Sequence, residues 1–108
     1  MNEEPGRSMD LQKLLSDVCA VHEIYLADKR VQPDESWYLL KLMEELGELT
    51  RAYLRKTHEA SVPGVAPTLE RACADECADV LCHVLLFAEK NGIDIVEAVG
   101  RKWLSYLK

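Results

Sequence analysis

"KLMEELGELTRAYL", residues 41–54, is the stretch on which the reading of the whole chain turns. Its leucines fall three and four apart, the spacing that gathers side chains along one side of a helix. Leu39, Leu42, Leu46, Leu49 and Tyr53 make that inward stripe, on a helix expected from about residue 35 to residue 56. The same two turns also hold Glu44, Glu45 and Glu48. Like charge this dense beside an apolar stripe is either an ordinary solvated face or a set of carboxylates gathered around something positive.

Outward from this helix, the punctuation is clear. Upstream, Pro33 forbids helix continuation, and Asp34 or Ser36 is placed to cap the helix that follows. Before that break, Leu11, Leu15, Val18, His22 and Tyr25 keep helical spacing from Ser8 onward. Residues 1–8 are polar, carry Pro5 and Gly6, and read as a flexible tail ahead of one helical domain over residues 9–108. Downstream, "HEASVPGVAPT" at residues 58–68 reads as a loop, with Thr68 as the N-cap of a third helix running to residue 90. Cys73, Cys77, Val80, Leu81, Val84 and Ala88 form its stripe. Asn91 and Gly92 tolerate a left-handed backbone and stop it. Asp94, with Glu97 three residues on, starts a fourth helix expected to reach Leu107. No strand-like alternation, repeat or low-complexity tract interrupts the pattern. The expected fold class is all-α, a four-helix bundle.

The chain has 108 residues, 48% hydrophobic and 30% charged, which suits one small soluble domain. Thirteen basic and 19 acidic side chains give a net charge of −6, and phosphate backbones need a basic surface, so nucleic acid is not the expected partner. A small phosphorylated ligand held through a divalent metal remains compatible. There is no apolar run of the roughly 20 residues a membrane helix needs, and no signal-peptide layout at the start, so a cytoplasmic location is expected. Cys19, Cys73, Cys77 and Cys82 include no CxxC pair and read as small apolar fillers. Leu40, Leu54, Leu86 and Phe87 lie off the main stripes, so a second copy is expected to cover them in a homo-oligomer, a dimer first of all.

The carboxylates come in pairs. Residues three apart on a helix face nearly the same way. Glu45 and Glu48 make one such pair, and "DECAD" at residues 75–79 sets Glu76 and Asp79 in another, with His83 one turn later on the same flank. Glu44 lies almost opposite the stripe. If the second and third helices pack antiparallel, the two pairs meet near mid-length, and four facing carboxylates repel unless a cation sits among them. Oxygen donors alone suit Mg2+, or Mn2+ in its place, while the Glu-x-x-His pairs of di-iron bundles are missing. The alternative is a solvated acidic surface. His83 reads as lining such a site, and Trp37 either stacks on a nucleobase or anchors its helix start. His22 reads as a core histidine, His58 as solvated, Trp103 as core, and Lys41 as one end of a surface ion pair.

Taken together, "LLKLMEELGELTRAYL" and "DECADVLCHVLLFAEKNGIDIVEAVGRKW" closely resemble the MazG-like all-α nucleoside triphosphate pyrophosphohydrolases, whose hallmark is E-E-x-x-E, an insert, then E-x-x-D. The likeness spans residues 37–103. It implies that Glu45, Glu48, Glu76 and Asp79 are magnesium ligands, that Glu44 or Glu48 activates water, and that Lys102 approaches the triphosphate. It further implies cleavage between the α and β phosphates, giving a monophosphate and pyrophosphate, in a homodimer or homotetramer. Tyr106 stands where many relatives have asparagine, and His83 where many have tyrosine, so phosphate contacts are expected from Lys90, Arg101 or a partner subunit instead. Two other functions compete. One is phosphoribosyl-ATP pyrophosphohydrolase of histidine biosynthesis, which "ECADVLCHVLL" resembles. The other is a non-catalytic helical dimer that binds a partner.

Overall fold

A computed structural model describes residues 10–107. The expected tail over residues 1–8 and the Ser8 helix start lie outside the described residues. Four α-helices follow in order: α1 Leu11–Lys29, α2 Trp37–Glu59, α3 Ala66–Lys90 and α4 Ile95–Lys102, then a short 3-10 turn Leu104–Tyr106. Among the described residues there is no strand, and the fold is all-α.

The caps follow from local chemistry. Asp10 Oδ1 accepts the Lys13 N–H at 2.7 Å and starts α1. Asp34, rather than Ser36, caps α2: its Oδ1 accepts the N–H groups of Ser36 at 3.1 Å and Trp37 at 2.9 Å. At the end of α3, the Ile93 N–H reaches back to the Ala88 carbonyl at 2.9 Å, and the Gly92 N–H to Glu89 at 3.3 Å. That double closure requires the left-handed backbone of Gly92, φ +66°. Asp94 Oδ1 then accepts the Glu97 N–H at 3.0 Å and opens α4.

Three boundaries differ from the sequence reading. The expected loop over residues 58–68 is shorter, confined to residues 60–65: α2 continues to Glu59, supported by the Arg55–Glu59 ion pair at 3.0 Å, and α3 begins at Ala66. Thr68 is therefore inside α3 and is not its cap. Pro67 sits in the first turn, where its missing N–H has no intrahelical partner to lose. The fourth helix stops at Lys102 instead of Leu107, and the chain tightens into the 3-10 turn.

The α2 stripe also turns out to be rotated. The face that packs on α3 is Tyr38, Leu42, Glu45, Leu49, Ala52, Lys56 and Glu59, a seven-residue repeat, all buried or half-buried. Leu39, Leu46 and Tyr53 are each about half exposed. Leucine occupies two stripes of α2, and α3 covers only one. His22 of α1 packs on Trp37 and Tyr38, with ring centroids 5.7 and 5.4 Å away, and this fixes which stripe turns inward. On α3, Cys77 and Leu81 face outward, while Leu69, Leu85, Leu86 and Ala88 form the core with Tyr38. Leu86 and Phe87 thus need no second copy to cover them, whereas Leu40 and Leu54 stay exposed.

Most of the packing is between α2 and α3, with α1 lying along α3; α4 has its main contact with its own 3-10 turn. Trp103, read from sequence as core, is 70% exposed at the end of that arm. No helix among the described residues is long and apolar enough to cross a membrane.

Candidate metal centre and adjoining cavity

Glu45 faces Asp79 and His83 across the α2–α3 seam, and farther along the hairpin Ala52 and Arg55 share a hollow with Leu69 and Ala72. The two helices therefore run antiparallel. This brings one carboxylate oxygen each of Glu45, Glu76 and Asp79 within 4.8 Å of one another. Glu48 stands beside that group: its carboxylate lies 3.6 Å from Arg51, and with Glu76 it lines the neighbouring hollow. Glu44 points away, 61% exposed, paired with Lys41 Nζ at 3.2 Å.

Convergence has an electrostatic consequence. Burial, then the Asp79 carboxylate, push Glu45 above the ordinary carboxylate range, and Lys41 offsets only part of it. Glu76 is raised by the same kind of surroundings, burial first and then Asp79 and Glu45. Three hard oxygen donors this close together fit a small divalent cation, which such ligands hold together with retained waters.

A cavity of about 530 Å3 opens directly on this cluster and shares Glu45 and Asp79 with it. Beside the acids it is lined by the rings of His22, Tyr25, Trp37 and His83 and by the apolar Leu86, and Asp17 of α1 also borders it. His22 is buried and hydrogen-bonded through Nε2 to the Tyr38 hydroxyl at 3.0 Å, and its ring also faces the cavity. Trp37 stands edge-on to Tyr38 at 5.0 Å and tilted to His83 at 6.5 Å, so rings line two sides of the space. Burial lowers the pKa of both histidines, and for His83 the charge of Lys41 lowers it further. Both rings are therefore neutral at neutral pH. His83 Nε2 lies 3.8 Å from Glu45 Oε1, too far for a hydrogen bond, and its buried Nδ1 has no partner among the described residues.

The structure thus brings together Glu45, Glu76, Asp79, His83 and Trp37, with Glu48 at the margin. It does not bring in Lys102, which lies on the exposed arm. Lys90 is engaged elsewhere, 3.5 Å from Glu23 and 5.8 Å from the Tyr38 ring centre, and Arg101 pairs with Glu97 at 3.2 Å. Lys41 is more than a surface partner: it is only 25% exposed, lines the cavity, and reaches Glu45 at 3.9 Å. Its place four residues before Glu45, on the same side of the helix, was the available signal. Cys82 also lines the cavity, and Tyr38, which holds His22 there, is the first position of the seven-residue repeat that contains Glu45. His58 falls in the last turn of α2 and is exposed. All four cysteines are free thiols. Comparison with protein-family models, with curated proteins and with solved structures gives no match.

Proposed function

We propose that this chain is a magnesium-dependent nucleoside triphosphate pyrophosphohydrolase of the MazG-like kind, built on a four-helix bundle that is completed in a homo-oligomer. The observation that carries this reading is the junction of two unlike environments. A ring-lined cavity of about 530 Å3, within the usual range for small-molecule sites, runs into a cluster of three carboxylates, and Glu45 and Asp79 belong to both. A nucleotide has the matching polarity, a flat base at one end and phosphates at the other. With the base against Trp37 and His22, the phosphates lie toward Glu45 and Asp79.

Glu45, Glu76 and Asp79 would hold the cation, Mg2+ with Mn2+ as a substitute. Bound there, it would neutralise the triphosphate that this acidic chain otherwise repels and would polarise the phosphorus under attack. Glu48 is the better placed of the two expected bases. It borders the carboxylate group without being one of the three, so an oxygen remains free to orient a water and accept its proton. Glu44 is turned to solvent and tied to Lys41. Leu39, Leu40, Met43 and Leu46 leave an apolar face on α2, which supports self-association.

The test is a panel of nucleoside triphosphates, with phosphoribosyl-ATP among them, incubated with the protein and magnesium. Equal release of pyrophosphate and monophosphate, abolished by Asp79→Asn, is the expected result. Release of inorganic phosphate alone, or no turnover of any member, contradicts it. Preference for phosphoribosyl-ATP would move the assignment to histidine biosynthesis.

A further inference from the structure

Among the described residues lining the cavity, Lys41 is the lone permanently charged cation. The other basic groups from which a phosphate contact was expected are held elsewhere: Lys90 beside Glu23, Arg101 beside Glu97, and Lys102 out on the arm. Lys41 Nζ lies 3.2 Å from Glu44 Oε1 and 3.9 Å from Glu45 Oε1, the oxygen that His83 Nε2 also approaches, at 3.8 Å. One ammonium thus stands at the border between the three converging carboxylates and the open cavity.

We propose that Lys41 is a tethered counter-ion, neutralising Glu45 while no divalent ion is bound and turning its ammonium onto a phosphate of the nucleotide once metal and nucleotide have entered. This rests on the metal-dependent nucleotide reading above and adds a substrate-contacting residue to it. The reasoning is electrostatic. A metal-free cluster of carboxylates gains from a nearby positive charge, and Lys41 supplies one from the same helix, four residues away. A divalent ion at Glu45 repels that ammonium, and the flexible four-carbon stem lets it leave. The incoming phosphates offer a new anionic partner on the cavity side, where the lysine already stands. The ammonium therefore opposes metal binding when nucleotide is absent and favours nucleotide binding when metal is present.

A lysine engaged only in surface pairing with Glu44 would do neither. The discriminating experiment measures two affinities on the full chain. The first is for Mn2+ alone, followed by the loss of the free-ion paramagnetic resonance signal. The second is for an α,β-methylene nucleoside triphosphate in the presence of saturating Mn2+. Lys41→Met is expected to bind Mn2+ alone about tenfold more tightly, the effect of removing one positive charge near a divalent ion in largely aqueous surroundings. The same variant is expected to bind the analogue about tenfold more weakly, and Lys41→Arg to restore both values. Lys41→Gln repeats the comparison with a polar stem if the methionine variant folds poorly. Either affinity remaining at the wild-type value in the neutral variants, or moving in the opposite direction, overturns the assignment. Failure of the wild-type chain itself to bind Mn2+ overturns the metal reading beneath it, and the two failures are thereby told apart.

Discussion

At Glu45, burial and the neighbouring Asp79 both oppose ionisation, so the folded chain holds this carboxyl above its usual 4.5. A raised acid pKa means that the folded state binds the proton more tightly than the unfolded state does. The associated stability is full below about pH 4.5 and is lost as the pH rises through the folded value. In the metal-free protein at pH 7, ionised Glu45 is therefore a local liability. Glu45→Gln should raise the melting temperature by a few degrees at pH 7 without metal, and should bring no gain at pH 4. Added magnesium should reverse the order, because it stabilises the wild type by binding the folded state and finds one ligand fewer in the variant. Thermal melts of both proteins at pH 7 with and without magnesium, and at pH 4 without it, check all three conditions. Glu48 and Glu44 separate by turnover. Glu48→Gln is expected to lower kcat by about 100-fold at saturating magnesium, in line with loss of a general base, while Glu44→Gln changes it little. Equal effects from the two substitutions would contradict the placement of the base.

Among the elements, legibility in the sequence follows how local each determinant is. The stop at Asn91 and Gly92 and the cap at Asp94 are decided within a few residues, and both are where the sequence puts them. Gly92→Ala should cost about 1 kcal/mol, because φ +66° strains any residue with a Cβ, and chemical denaturation would show it as a lower midpoint. The rotation of α2 is a different matter. Two apolar stripes compete on that helix, and the stripe that wins carries Glu45, Lys56 and Glu59 among its inward positions, so a rule of apolar-inward chooses the other. What decides is contact with α1, through His22 on Trp37 and Tyr38, and no local pattern encodes that. The same holds for the cavity. The acidic positions are visible as spaced pairs, but the ring-lined wall combines residues from three helices. The connection before α3 misleads for a simpler reason: Pro67 looks like a breaker and is instead accommodated in the first helical turn.

In the whole molecule, α1, α2 and α3 enclose a small core of Tyr38, Leu69, Leu85, Leu86 and Ala88, and among the described residues leave apolar side chains uncovered on each of three elements. These are α1, with Val21 and Ile24; the outer face of α2, with Leu40 and Met43 more exposed than buried; and the arm with Trp103 and Tyr106, the latter 86% exposed. Large contiguous apolar surfaces on a small domain mark places where partners sit. The expected state is a homodimer or homotetramer, and light scattering of the separated protein should give a multiple of the chain mass. Leu46→Lys, placing a charge in the middle of the α2 face, should shift that mass toward a single chain; an unchanged mass would put the interface elsewhere. The central claim nonetheless concerns a much smaller volume, the space between three carboxylates. Crystals grown with Mn2+ and examined by anomalous scattering test it most directly. The account predicts one strong peak bonded to oxygens of Glu45, Glu76 and Asp79. A map without a peak there, from protein that turns over nucleotide in the same buffer, would contradict it.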